Sequence, residues 1–213
     1  MISISSFTFS PIQENTYLLH NEKGQAVIID PGCYFSAENE TLKEHILRAG
    51  LNPILLLNTH CHLDHVFGNK WVAKTYGLEL HIHPDEEKML ALAPQSGQMY
   101  GLGFDNYTGP LHFLNEGDIV KLGNDELKVI LAPGHSPGSI CFYNEKQHFL
   151  VGGDVLFLES IGRTDLPFGN HEQLLKNIQE KLYVLPDETV VYPGHGPSTT
   201  IGHEKKHNPF IKG

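Results

Sequence analysis

The chain reads as an α/β protein built from two β-sheets with helices outside them. Three observations predict that class. Short strand-like runs come in two blocks, residues 2–29 and 111–151, and helical patterns fall between and after them. The apolar stretch Ile54-Leu55-Leu56-Leu57, opened by Pro53, reads as a strand buried on both faces. No repeat, low-complexity tract or linker interrupts the series, so the 213 residues read as one domain with a sizeable core.

Ile2 to Phe9, Thr16 to His20 and Gln25 to Ile29 alternate like strands, with the turn signal Asn21-Glu22-Lys23-Gly24 between the last two. Asp30-Pro31-Gly32 ends the third. Ser36 to Arg48 is amphipathic at helical spacing, with Leu42, His45, Ile46 and Ala49 on one side and Gly50 as its stop. After the 54–57 strand, Gly68 to Tyr76 is helical in pattern, Gly77 stops it, and Glu79 to Ile82 is a short strand. Pro84 to Ala93 starts as a helix. Pro94, Gly97, Gly101, Gly103, Gly109 and Pro110 then predict a mobile surface segment over 84–110, a candidate lid. Strands resume at Leu111 to Leu114, Ile119 to Leu122, Leu127 to Ala132, Ser139 to Tyr143 and His148 to Val151. A helix over His171 to Val184, a strand over Thr189 to Tyr192 and a short helix over Thr199 to His207 complete the chain.

Composition removes several functional classes. Hydrophobic residues make up 40 % of the chain, too many for disorder. The net charge of −10, from 15 basic and 25 acidic residues, argues against nucleic-acid or acidic-membrane binding, which needs a basic face. Cys33, Cys61 and Cys141 are too few and too scattered for a disulfide framework. The first residues do not resemble a signal peptide, and no apolar stretch approaches the ~20 residues that span a bilayer. A cytoplasmic protein is the expectation.

The densest chemical signal is Thr59-His60-Cys61-His62-Leu63-Asp64-His65, directly after the 54–57 strand. It presents three imidazoles and a carboxylate where a strand gives way to a loop, so the side chains can converge while the strand holds the backbone. Those are the ligands that suit zinc and related divalent ions. Three later segments repeat the layout of strand, then Gly or Pro, then a ligand-type residue. They present His135 in Pro133-Gly134-His135-Ser136-Pro137-Gly138, Asp154 after Gly152-Gly153, and His195 in Pro193-Gly194-His195-Gly196. Glycine beside each one lets the backbone turn and a ligand approach closely. Cys61 lies between two ligand histidines, and alternation turns it away from them as a buried thiol. The remaining histidines (His20, His45, His81, His83, His112, His148, His171, His203 and His207) form no such constellation and read as structural or exposed.

Taken in order, the segments T-H-C-H-L-D-H, P-G-H-S-P-G, G-G-D and P-G-H-G resemble the metal-binding motifs of the metallo-β-lactamase superfamily. The resemblance implies an αββα sandwich of two mixed β-sheets flanked by helices, with two metals at one edge. It implies that His60, His62 and His135 hold one metal, that Asp64, His65 and His195 hold the other, and that Asp154 bridges them. Two divalent metal ions follow as cofactors, zinc first, with iron or manganese also compatible with imidazole and carboxylate. Asp64 would orient the attacking hydroxide between the metals and accept its proton.

The stretch Gly162-Arg163-Thr164-Asp165 and the tail from Ile201 to Phe210 are similar to the short glyoxalase II-like branch, the hydroxyacylglutathione hydrolase-like thioesterases. That resemblance implies hydrolysis of S-2-hydroxyacyl thiols. Full-length glyoxalase II enzymes add a C-terminal helical domain that grips glutathione, and this chain has no counterpart of it, which leaves the thiol carrier open. A mononuclear iron persulfide dioxygenase is the alternative, since those enzymes share the G-R-T-D stretch, and a lactonase-type hydrolase is a third. Arg163 reads two ways: its planar fork suits a substrate carboxylate, or it pairs with Asp165 and shapes the loop. Tyr143 and Phe168 read as core packing or as pocket walls. The expected partner is a small thioester, with no nucleic acid and no membrane.

Overall fold

The computed structural model describes residues 1–213. Residues 1–114 with 121–125 form one compact unit, and residues 115–120 with 126–213 form a second.

In the first unit β1 (Ile2–Phe9), β2 (Glu14–Asn21) and β3 (Gln25–Ile29) form an antiparallel meander. Ser10 and Gln13 take positive φ (63° and 61°) to close the first turn. The chain then switches to parallel pairing, which demands a crossover between successive strands. Helix α1 (Ser36–Arg48) leads from β3 to β4 (Asn52–Leu57). Helices α2 (Leu63–Val66) and α3 (Asn69–Tyr76) lead to β5 (Leu80–Ile82), and α4 (Glu87–Met99) leads to β6 (Leu111–Phe113). The sheet runs β1-β2-β3-β4-β5-β6. Its core holds Leu18, Ile28, Leu42, Leu56, Val72 and Leu80, all fully buried. At roughly 1.5–3 kcal/mol for each large side chain buried, this packing holds the ends of β3 and β4 firmly in place.

The second sheet is built on β7 (Ile119–Leu122), β8 (Asp125–Leu131), β9 (Ile140–Asn144) and β10 (Phe149–Gly153). The two-residue strands β11 (Leu156–Phe157) and β12 (Ser160–Ile161) make a separate small hairpin. Helix α5 (His171–Asn177) crosses to β13 (Val190–Pro193), which pairs parallel with β10, and β14 (Thr199–Thr200) precedes α6 (Ile201–His207). This sheet runs β14-β13-β10-β9-β8-β7. Leu150, Leu174, Ile178, Leu182, Val191 and Ile201 are fully buried in its core. No helix of the protein is long and apolar enough to cross a membrane.

Most elements fall within a residue or two of expectation, and α1 matches it at both ends. Four differ. The segment predicted to be mobile from residue 84 contains a helix that continues through Pro94 to Met99 and buries Met89, Leu90, Ala93 and Gly97. Proline cannot donate to the carbonyl one turn back, and here the side-chain amide of Asn106 donates to Leu90 O instead (2.8 Å). The following loop is anchored by the buried Tyr107, whose hydroxyl donates to Pro110 O (2.7 Å). The helix expected over 171–184 turns to π geometry at Ile178–Leu182, with Tyr183 N donating to Ile178 O (2.8 Å). The turn α2 and the β11–β12 hairpin carry too few residues to show a period.

Candidate metal centre

In the first unit β3 and β4 are parallel, so their carboxyl ends finish side by side, where Asp30 N donates to Leu57 O (3.0 Å). Ligands of open α/β sheets collect at such ends. Asp30 itself is fully buried with φ of +50°. Its Oδ1 accepts from Thr59 N (2.7 Å) and Asn58 Nδ2 (3.1 Å), and its Oδ2 accepts from Thr59 Oγ1 (2.6 Å) and His65 Nδ1 (3.0 Å). The Thr59 hydroxyl spends its proton on Asp30 and so accepts from His60 Nδ1 (3.1 Å). Both rings therefore carry the proton on Nδ1 and present the Nε2 lone pair, the pattern by which outer carboxylates orient metal-binding imidazoles. Asp30, His60 and His65 each place a ligand-type atom within 4.8 Å of the others. Because four donors already occupy the Asp30 oxygens, it serves as the holder of this group.

His62 stands edge-on to His60 at 4.9 Å, and His65 lies 4.1 Å from His60 between ring centroids. Asp64 opens α2 and is buried beside them. Asn58 ties the turn together: its amide also donates to His65 O (2.8 Å), and its Oδ1 accepts from Asn69 Nδ2 (2.7 Å). Cys61 points into the core as expected. Its N–H donates to the buried Glu86 (2.7 Å), and burial, with Glu86 and Asp30 adding to it, pushes the thiol well above its usual range. Glu14 is fully buried in the same unit. Burial pushes its carboxyl well up, His65 pulls it back in part, and Asp30 adds to the rise. The carboxyl accepts from Thr16 Oγ1 (2.9 Å).

In the second unit Asp154 and His195 follow the parallel strands β10 and β13, where Gly194 N donates to Gly153 O (2.8 Å). Asp154 Oδ2 lies 3.5 Å from His135 Nε2 and 3.6 Å from His195 Nε2, so one carboxylate sits between two imidazoles. His135 Nδ1 donates to the carbonyl of Arg163 (2.8 Å), which again leaves Nε2 to face Asp154. Gly162 makes this possible. A Cβ there would overlap the carbonyl oxygen of Asp154 and press on His135 Cβ at 3.0 Å. Gly162→Ala is therefore expected to cost about 1–3 kcal/mol of stability, the usual range for overpacking, and to weaken metal binding. Chemical denaturation and metal titration of the variant check both.

The structure thus brings His60, His62, Asp64 and His65 together in one unit, and His135, Asp154 and His195 together in the other. The guanidinium of Arg163 forms a two-pronged pair with Asp165 (2.7 and 2.8 Å), which holds that carboxyl down at about 2. What Arg163 offers the ligand set is its backbone carbonyl. Tyr143 lines an open groove of about 460 Å³ on the second unit with Lys128, His148 and Lys181, and no ligand-type residue of the set lines it. Phe168 is half-exposed with φ of +70°. Of the remaining histidines, His81 stacks on His112, His203 pairs with Glu159, and His83 caps the turn at Pro84.

Sequence reasoning missed Asp30, Thr59 and Glu14. Asp30 had a visible signal, a carboxylate ending the apolar strand Ala26 to Ile29, and was read only as a turn. The donor set fits a divalent cation: neutral imidazoles with Nδ1 anchored, plus two buried aspartates.

Comparison with known proteins agrees with this chemistry. The model of the Metallo-beta-lactamase superfamily matches residues 10–195. A "Probable metallo-hydrolase YqgX" of Bacillus subtilis is 39 % identical over 204 residues, covering 95 % of this chain and 94 % of its own. The "Hydroxyacylglutathione hydrolase GloC" of Haemophilus influenzae is 37 % identical over 212 residues, 99 % and 98 % of the two chains. Among solved structures, the BLEG-1 B3 metallo-beta-lactamase superposes with a TM-score of 0.90 at 39 % identity, covering 99 % of this chain and all of that one. TTHA1623, solved in a di-iron-bound form, superposes with a TM-score of 0.89 at 36 % identity, covering 97 % and 100 %.

Proposed function

Since the chain belongs to the metallo-β-lactamase superfamily and shares its two mixed sheets with flanking helices, we propose that it is a binuclear metal-dependent hydrolase that cleaves S-2-hydroxyacyl thiols. The observation that carries this reading is the anchoring of the ligand histidines. Asp30, Thr59 and the Arg163 carbonyl each hold one Nδ1, so His65, His60 and His135 all offer Nε2. A purely structural histidine cluster has no need of one uniform tautomer. The thioester part of the reading is supported by the 37 % identity to GloC across nearly both full chains and by the Gly162-Arg163 turn that holds Asp154 and His135.

In this reading His60, His62 and His135 would hold one metal and Asp64, His65 and His195 the second, with Asp154 as a further ligand. Divalent cations there would polarise the thioester carbonyl and lower the pKa of water from 15.7 to about 7. Asp64, buried beside His65, would orient the water and take up its proton. Asp30 keeps His65 in the tautomer that binds, and the Arg163 carbonyl does the same for His135. Zinc is the first choice for this donor set. Iron is the second, supported by the di-iron form of TTHA1623.

The test is metal analysis of the purified protein followed by a thioester panel on the same sample. Two metals per chain with turnover of S-lactoylglutathione or another 2-hydroxyacyl thioester is the expected result. One iron per chain, no thioester turnover and oxygen uptake with glutathione persulfide would replace the proposal with the dioxygenase.

A further inference from the structure

An aromatic wall stands beside the ligand loop of the first unit. Residues 31–33 lie flat against residues 64–68. Gly68 N donates to Pro31 O (2.7 Å), a Cβ at Gly68 would meet that same oxygen at 2.7 Å, and one at Gly32 would meet Asp64 O at 2.8 Å. The chain leaves this contact as Tyr34-Phe35. Tyr34 packs 4.8 Å from Phe67 and 5.0 Å from Phe35, and Phe67 packs edge-on to Phe104 at 4.9 Å. The Tyr34 hydroxyl donates to Gly103 O (3.3 Å). Four rings are thus linked, Phe67 follows His65 by two positions, and Phe35 remains 51 % exposed.

The placement of Phe35 breaks a local rule. It is the N-cap of α1, a position where Ser, Thr, Asp or Asn normally supplies a hydrogen bond, and it supplies none. Glu38 compensates: its carboxylate accepts from the backbone N–H groups of Ser10 (2.8 Å), Tyr34 (2.8 Å) and Phe35 (2.9 Å). The turn is thereby fixed so that a large apolar ring is held outward, and such broken rules gather at functional sites. The nearest lysine or arginine in sequence to Phe67 is Lys70, which pairs with Asp105 at 2.6 Å, and Asp105 itself directly follows Phe104. An aromatic or branched apolar group would gain ring contacts there.

We propose that Tyr34 and Phe35, backed by Phe67 and Phe104, receive the group carried on the acyl carbon of the substrate, and that this group is aromatic or bulky. The proposal rests on the hydrolase reading and narrows it to aryl- or bulky-alkyl-substituted 2-hydroxyacyl thioesters. Two probes sharing one thiol test it, S-mandeloylglutathione and S-lactoylglutathione, together with the product acids mandelate and lactate. Metal-loaded wild type is expected to favour mandeloyl over lactoyl in kcat/KM. Phe35→Ala is expected to lower that ratio about tenfold, and Phe35→Leu to lower it less. Calorimetry on the same samples should show mandelate binding more tightly than lactate, with the difference lost in Phe35→Ala. Thioester turnover with the same ratio in wild type and in folded, metal-loaded Phe35→Ala overturns the wall and leaves the hydrolase standing. A mandelate preference lost in Phe35→Ala, without turnover of either thioester, supports the wall and removes the hydrolase. A wild type that prefers neither acyl group nor either acid overturns the wall.

Discussion

Asp154→Ala will lower kcat/KM by more than about 10²-fold and reduce the metal content of the protein. Losing an outer partner of a metal ligand typically costs 10–100-fold, and in the proposed site Asp154 is itself a ligand. Its Oδ2 lies 3.5 Å and 3.6 Å from the Nε2 atoms of His135 and His195, and it is the one carboxylate among the ligand residues of the second unit. Two neutral imidazoles bring no charge to offset a divalent cation, so among the second unit's ligand-type residues that role falls to the aspartate. The metal-free fold should be nearly unaffected. Gly162 packs on the backbone carbonyl of Asp154, which alanine retains. Metal analysis, thermal melting of the metal-free protein and thioester kinetics separate the two effects. A variant that keeps wild-type metal content and rate would remove Asp154 from the site.

Asp30→Ala should show the opposite balance, with the larger loss in stability. Asp30 is fully buried and receives Asn58 Nδ2, Thr59 N, Thr59 Oγ1 and His65 Nδ1. Alanine leaves all four donors buried without their acceptor. An unsatisfied buried donor costs about 1–3 kcal/mol, and partial relaxation keeps the four losses from adding in full. The metal-free protein is expected to lose about 3–5 kcal/mol, or roughly 6–20 °C in melting midpoint for a chain of this size. Metal affinity should fall a further 10–100-fold as His65 loses its orientation. Asp30→Asn keeps the shape and two acceptor directions and should fall between. A melting point within a degree or two of wild type for Asp30→Ala would show that the network does not hold the loop.

The ligand-type residues of the proposed site were legible because they fall in four short segments after strands, and in three of these a glycine precedes the residue, so local spacing alone exposes them. Leu56 and Leu57 are the fully buried end of β4, and His60 follows Leu57 by three residues. The residues that orient them were not. Asp30 lies 35 positions from His65, and the Arg163 carbonyl lies 28 from His135. No period links such pairs, and a backbone carbonyl has no signature in the residue type. The segment beginning at residue 84 was misread for the same reason. Pro94 argues locally for a break, and the amide that lets the helix continue comes from Asn106.

The order and type of the elements, the apolar cores and the identity of the ligand-type side chains follow from the sequence by itself, because periodicity, glycine turns and strand ends are properties of neighbouring residues. Which nitrogen each histidine presents was decided only by the tertiary structure, as was the burial of Asp30 and Glu14 and the exposure of Phe35 at the head of a helix. These depend on how parallel strands register and on which distant donors and acceptors meet when water is excluded, and hydrogen bonds between residues tens of positions apart exist only once the sheets have formed.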